Sequence, residues 1–158
     1  MRVYDLRLRS MGPPVAAVSA GGEVLSTDWN KYRPMTLATG STDRVIKTWD
    51  LRSSMQPGQP REAPASAVLV GHMYAVRDVA WSPHQASVLA SASYDMTARI
   101  WNVDDAQHVG PTPVLSTPRF VYTGHTEFVV GVGWSLFEPG LIGSASWDMS
   151  THLWIAPS

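Results

Sequence analysis

The sequence repeats itself at a fixed spacing, and that repeat limits the folds open to it more than any other feature. Asp43, Asp95 and Asp148 each stand six residues before one tryptophan (Trp49, Trp101, Trp154) and fourteen after another (Trp29, Trp81, Trp134). His72 and His125, each directly after a glycine, stand twenty-three residues before the second and third of these aspartates. The periods are 52 and 53 residues. A period of this size marks one supersecondary unit stacked on copies of itself, because such a unit cannot bury its apolar face alone.

Within a unit the segments are short, rich in Val, Ile, Thr and aromatics, and bounded by turn chemistry. In the second unit they cover roughly 75–81, 88–93, 97–103 and 119–123, with "SPH" (82–84) and "YDM" (94–96) as tight connections where Pro and Asp favour turns. No helical period is sustained, so each unit reads as four short antiparallel strands. The Pro/Gly/Ser-rich stretches 53–66 and 104–118 read as exposed loops that lengthen the period.

With 158 residues and 44% hydrophobic content, the chain is suited to one ordinary globular domain. A net charge of −1 argues against a broad grip on nucleic acid or on an anionic membrane surface. The absence of cysteine excludes disulfides, thiolate metal sites and a cysteine nucleophile, and fits a reducing compartment. No stretch approaches the ~20 consecutive apolar residues that span a bilayer, and "MRVYDLRLRS" lacks the apolar core of a secretory signal. Neither a dinucleotide fingerprint nor a Walker loop, nucleophile elbow or zinc-protease motif is present. His84, His108 and His152 are scattered without metal-ligand spacing and read as surface or loop residues. No catalytic residue, metal or cofactor is expected, and the chain is read as a non-enzyme.

Gly-His, then Ser, Asp and Trp-Asp or Trp-Asn at these distances resembles the WD40 repeat, whose unit is a four-stranded β-propeller blade. The resemblance implies an all-β, partial propeller: 1–18 as the end of a preceding blade, then blades at 19–70, 71–123 and 124–158, the last without its outer strand. It also implies a hydrogen-bonded chain of histidine, hydroxyl, aspartate and tryptophan, carried by His72, Ser91, Asp95 and Trp101, and by His125, Ser144, Asp148 and Trp154. In the first unit Thr39, Asp43 and Trp49 match, but Ala20 stands at the histidine position, so that chain is cut short and its blade is expected to be softer. The logic holds without the family: linking a buried imidazole and a buried carboxylate through a hydroxyl to an indole N–H removes several desolvation penalties together.

"RVYDLR" (2–7) aligns with "KTWDLR" (47–52), and the chain stops just after "THLWIAPS". Both ends read as strands of incomplete blades, as in the C-terminal part of a longer protein, with edges open to pairing.

On WD40 propellers the residues before the turn aspartate and at the start of the innermost strand lie on one rim. Here these are Thr42, Tyr94 and Trp147, and Glu23, Tyr74, Ala75, Arg77, Glu127 and Phe128. Such aromatics with carboxylates suit an amphipathic basic peptide; the simpler reading is that the aromatics only cover blade seams.

"GHMYAVRDVAWSPH", "SYDMTARIW" and "HTEFVVGVGWSLFEPGLIGSASWD" are similar to the last blades of the receptor family for the peroxisomal type-2 targeting signal. That family implies a cytosolic receptor shuttling to the peroxisome, with thiolase-like cargo proteins, an import co-receptor and peroxisomal docking proteins as partners. The alternatives are another WD40 scaffold: a histone-binding propeller, or a substrate receptor of cullin-type ubiquitin ligases, in which the "WDLR" at 49–52 would use Arg52 for adaptor docking. For that motif the simpler reading is that Asp50 and Arg52 pair with neighbouring strands.

Overall fold

The computed structural model describes residues 1–4, 14–52, 54, 62–107 and 111–157. The sequence repeat becomes a repeat of small twisted sheets. The first blade places β3 (Val24–Trp29), β4 (Thr36–Ser41), β5 (Ile46–Asp50) and β6 (Ala65–Leu69) side by side, all antiparallel. The second repeats the pattern with β7 (Val76–Trp81), β8 (Val88–Ser93), β9 (Ala98–Asn102) and β11 (Phe120–Tyr122), and the third with β12 (Val129–Trp134), β13 (Leu141–Ser146) and β14 (Thr151–Ile155). Before them, β1 (Arg2–Val3) pairs with β2 (Ala16–Ala17). The architecture is a partial β-propeller.

Each innermost strand carries a bulge at the same place, between Val24 and Ser26, Val76 and Asp78, and Val129 and Gly131. A bulge bends a strand and raises its twist, so three bulges in register give the blades a common curvature. The cores lie between sheets, one per seam. Ala38, Ile46, Leu69, Val76, Trp81 and Trp101 fill the first-to-second seam, and Val88, Ile100, Val132, Ile142 and Trp154 fill the next. Strand β8 is buried along its whole length, which its small residues (VLASAS) allow in the middle strand of the middle blade. Close approach also needs Gly40: a Cβ there would meet Val76 Cγ1 at 2.8 Å.

Two stretches read from sequence as exposed loops do more than that. Within 104–118, β10 (Val114–Leu115) adds a fifth strand to the first blade, parallel to β6, and buries Leu115 in the first-to-second seam. Val68 and Val70 donate backbone N–H groups to Pro113 and Leu115 at 2.9 Å. The segment that follows the third strand of the second blade thus straps back onto the first; apolar Val114 and Leu115 are the physical reason, and Pro and Gly around them masked the signal. The same stretch opens with a short 3-10 helix, Val103–Asp105, capped by Asn102. Within 53–66, Ser54 and Ala63 are buried and Ala65 begins β6. Four strands per unit therefore becomes five in the first blade. Asp5–Arg7 of "RVYDLR", much of 53–66 and His108 lie outside the described residues.

Candidate functional site

Beneath the rim sit the clasps. In the second blade, Trp101 Nε1 donates to Ser91 Oγ at 2.8 Å, and Ser91 Oγ lies 2.8 Å from His72 Nε2. An indole N–H only donates, so the serine proton is left for Nε2, and His72 Nδ1–H donates to Asp95 Oδ2 at 2.8 Å. The third blade repeats this through Trp154, Ser144, His125 and Asp148, at 3.1, 2.8 and 2.8 Å. Burial pushes the His72 imidazole below its usual value despite the adjacent Asp95. Burial opposes the charge on Asp95 as well, but hydrogen bonds from His72, Thr97 and the Met73 N–H hold its carboxyl well below the carboxylate range. Asp148 is held low chiefly by Ser150, with His125 and the Thr126 N–H adding to it.

In the first blade Trp49 Nε1 reaches Thr39 Oγ1 at 3.0 Å, and Asp43 takes the Ser41 hydroxyl and the Val45 N–H. The space left by Ala20 is spanned by Lys47, whose ammonium donates to the Ala20 carbonyl and lies 3.7 Å from Asp43. The same position, four residues after the turn aspartate, is Arg99 in the second blade, 3.2 Å from Asp95. In the third it is His152, stacked on His125 with ring centroids 4.1 Å apart. His152 is thus not a loop or surface residue but a half-buried part of β14, bonded to Tyr122 Oη at 2.9 Å and Ser150 Oγ at 3.0 Å. Sequence reasoning missed this set, although its signal, a basic residue or histidine at +4, stands in the repeat. His84 also has a structural contact, its Nε2 3.0 Å from the Ser135 carbonyl across the seam.

The clasps position the rim. The Tyr94 N–H donates to Ala75 O at 3.1 Å and the Trp147 N–H to Phe128 O at 3.0 Å, so each hairpin turn is tied to the loop leading into its own innermost strand. Ser93 and Ser146 hydroxyls add bonds to the Tyr74 and Glu127 carbonyls. These ties bring Tyr94, Phe128 and Trp147 together, with ring centroids 4.9 Å apart for Tyr94 and Phe128, 5.2 Å for Phe128 and Trp147, and 6.0 Å for Tyr94 and Trp147. Rings in mutual contact leave no space for a cation between them, so the trio is a continuous apolar patch rather than an aromatic cage. Within the trio Trp147 is 61% exposed, as is Tyr74 in the loop ahead of β7. Glu127 is exposed next to Phe128.

Other predicted rim residues fall elsewhere. Glu23 is exposed in the first blade, its backbone tied to Thr42 at 3.0 and 2.9 Å, a seam away from the trio. Arg77 sits on the bulge of β7, half-buried, and reaches the Leu25 carbonyl at 3.5 Å. Asp50 does pair with its neighbouring strands, opposite Thr36 of β4 and with its N–H on Ser66 Oγ of β6 at 2.8 Å, whereas Arg52 folds back onto the Asp50 carboxylate, its Nε 2.9 Å from both oxygens. Among the described residues no cluster of His, Asp and Glu is arranged to hold a metal. Met73, Met96 and Met149 also line this rim, and sequence reading passed over them because methionine carries no turn or charge signal.

The WD domain, G-beta repeat, matches residues 12–50, 65–102 and 116–154, and the chain belongs to the WD40-repeat family. Within it, the chain is similar to the peroxisomal targeting signal 2 receptor of Saccharomyces cerevisiae, 36% identical over 96% of this chain and 46% of the relative. It is also similar to the receptor of the same name from Komagataella phaffii, 38% identical over 98% of this chain and 43% of the relative. A histone acetyltransferase type B subunit 2 from Aspergillus fumigatus is 31% identical over 88% of this chain and 31% of that protein. The chain spans less than half the length of each of these relatives.

Proposed function

We propose that this chain carries part of the docking surface of a peroxisomal import receptor, and that the rim of its second and third blades binds the N-terminal type-2 targeting signal of cargo proteins. The observation that carries the reading is the Tyr94–Phe128–Trp147 patch on a rim whose turns are tied by backbone hydrogen bonds, taken with the similarity to receptors of that name. A signal folded as an amphipathic helix lays its apolar face on such a patch, and Glu127 at its border selects a basic residue on the helix flank. Glu23, Tyr74 and Arg77 extend the contact toward the first blade. The role is binding rather than catalysis, with a co-receptor and peroxisomal docking proteins as further partners and shuttling between cytosol and peroxisome as the setting.

A fluorescent peptide carrying a type-2 signal, titrated with the purified chain, tests this. Binding that weakens about tenfold with Trp147→Ala and again with Glu127→Lys is expected, since buried aromatic anchors and paired charges dominate such interfaces. Affinity untouched by both substitutions, or binding to a basic histone tail with no response to the signal, overturns the reading and favours a histone-binding scaffold.

A further inference from the structure

We propose that Met73, Met96 and Met149 form an oxidation-sensitive collar around this rim, so that hydrogen peroxide, by converting their thioethers to sulfoxides, weakens docking. The proposal rests on the rim being the docking surface and adds how that surface is regulated.

With no cysteine in the chain, the sulfur that peroxide meets is methionine sulfur. The three residues are 69%, 39% and 98% exposed. Their backbone places them at the patch. The Met73 N–H donates to Asp95 Oδ2 at 3.0 Å, which sets Met73 against the turn that carries Tyr94 and Met96. Met96 and Met149 occupy the same position in successive hairpin turns, with φ of 65° and 64°, each two residues after an aromatic of the trio, Tyr94 and Trp147. In the first blade the matching positions are Gly21 and Arg44. In the third blade Thr126 stands at the position of Met73, so it is the turn methionines, Met96 and Met149, that accompany the turn aromatics Tyr94 and Trp147. Met35, exposed in the turn between β3 and β4, lies at the opposite ends of the strands and serves as an internal control.

In the step, a sulfur lone pair attacks one peroxide oxygen. The O–O bond breaks, an S–O bond forms, and the departing hydroxide takes the remaining proton and leaves as water; sulfur is oxidised by two electrons and peroxide is reduced. A flexible apolar side chain becomes a polar one, and the collar stops contributing apolar area to a docked helix. Because none of the three is in a core, the fold is untouched.

The test treats the purified chain with hydrogen peroxide, maps sulfoxides by peptide mass spectrometry, and measures affinity for the type-2 signal peptide. Binding about tenfold weaker once Met73, Met96 and Met149 are oxidised, with unchanged melting temperature and recovery after methionine sulfoxide reductase, is the expected result. A variant carrying Met73→Leu, Met96→Leu and Met149→Leu should show the same affinity with and without peroxide. Unchanged affinity of fully oxidised protein, or an equal loss in the triple variant, overturns the proposal. If the untreated chain does not bind the peptide at all, the receptor reading fails separately, and anilinonaphthalene sulfonate bound to the apolar patch decides this one. Dye binding lost on oxidation in the parent but kept in the triple variant supports the collar; dye binding indifferent to oxidation overturns it.

Discussion

Asp78 in β7 accepts a hydrogen bond from the Ser26 hydroxyl in β3 at 2.7 Å, across the seam between the first two blades. Its other oxygen accepts the Val132 N–H of the third blade at 3.0 Å. One carboxylate thus ties three innermost strands, and Asp28 adds a similar tie by accepting the Trp81 N–H at 2.8 Å. Asp78→Ala leaves the Val132 N–H and Ser26 without this acceptor and should cost about 1–3 kcal/mol. Urea denaturation followed by tryptophan fluorescence checks this, with Asp78→Asn expected to retain part of the loss.

The clasp of the second blade gives stability a definite pH dependence. His72 is pushed below its ordinary value of 6.5, so as pH falls through that value the unfolded chain takes up a proton that the folded chain resists. Stability is therefore present above about 6.5 and declines as pH falls toward the lowered folded value. Asp95, lowered from 3.8, loses its contribution in the same direction in more acid solution. Melting temperature measured from pH 8 to pH 4 should fall on acidification, and His72→Gln should remove part of the decline between 7 and 5. Asp95→Ala should cost about 1–3 kcal/mol at pH 7 by stranding buried donors.

In the first blade Lys47 replaces the missing histidine as the group that reaches the loop ahead of β3. Lys47→Met keeps the stem and removes the ammonium, for an expected loss of about 1 kcal/mol. Hydrogen exchange should then quicken in Val24–Asp50 more than in Val76–Asn102, because the unpaired Asp43 no longer has its cation.

The repeat period, the four recurrent strands of a unit and the histidine–aspartate spacing were legible in the sequence because each is a property of one unit read more than once. What was not legible is what differs between units or crosses a seam. Lys47, Arg99 and His152 share a position but not a residue type, so the reading that sought a histidine twenty-three residues before the aspartate found only Ala20. Asp78 aligns with Ser26 and Gly131, and its role exists only once three blades stand side by side. The aromatic trio was named residue by residue, yet the contact among its members depends on the curvature that the bulges give the blades.

The strap formed by β10 is a seam feature of the same kind. Leu115→Ala removes a buried side chain from between the first two blades and should cost about 2–5 kcal/mol. A matched substitution at exposed Val121 should change stability by less than about 0.5 kcal/mol, and thermal unfolding of both variants makes the comparison.

In the proposed function one rim, and not the opposite one, takes the targeting signal. Hydrogen exchange of the chain with and without a type-2 signal peptide maps the footprint directly. Slowed exchange at residues 71–77, 94–97, 126–128 and 147–149, extending to 22–24 in the first blade, is the predicted result. Slowed exchange at 82–87 and 135–140 on the opposite ends of the strands, or no change at either rim in the presence of saturating peptide, would contradict it.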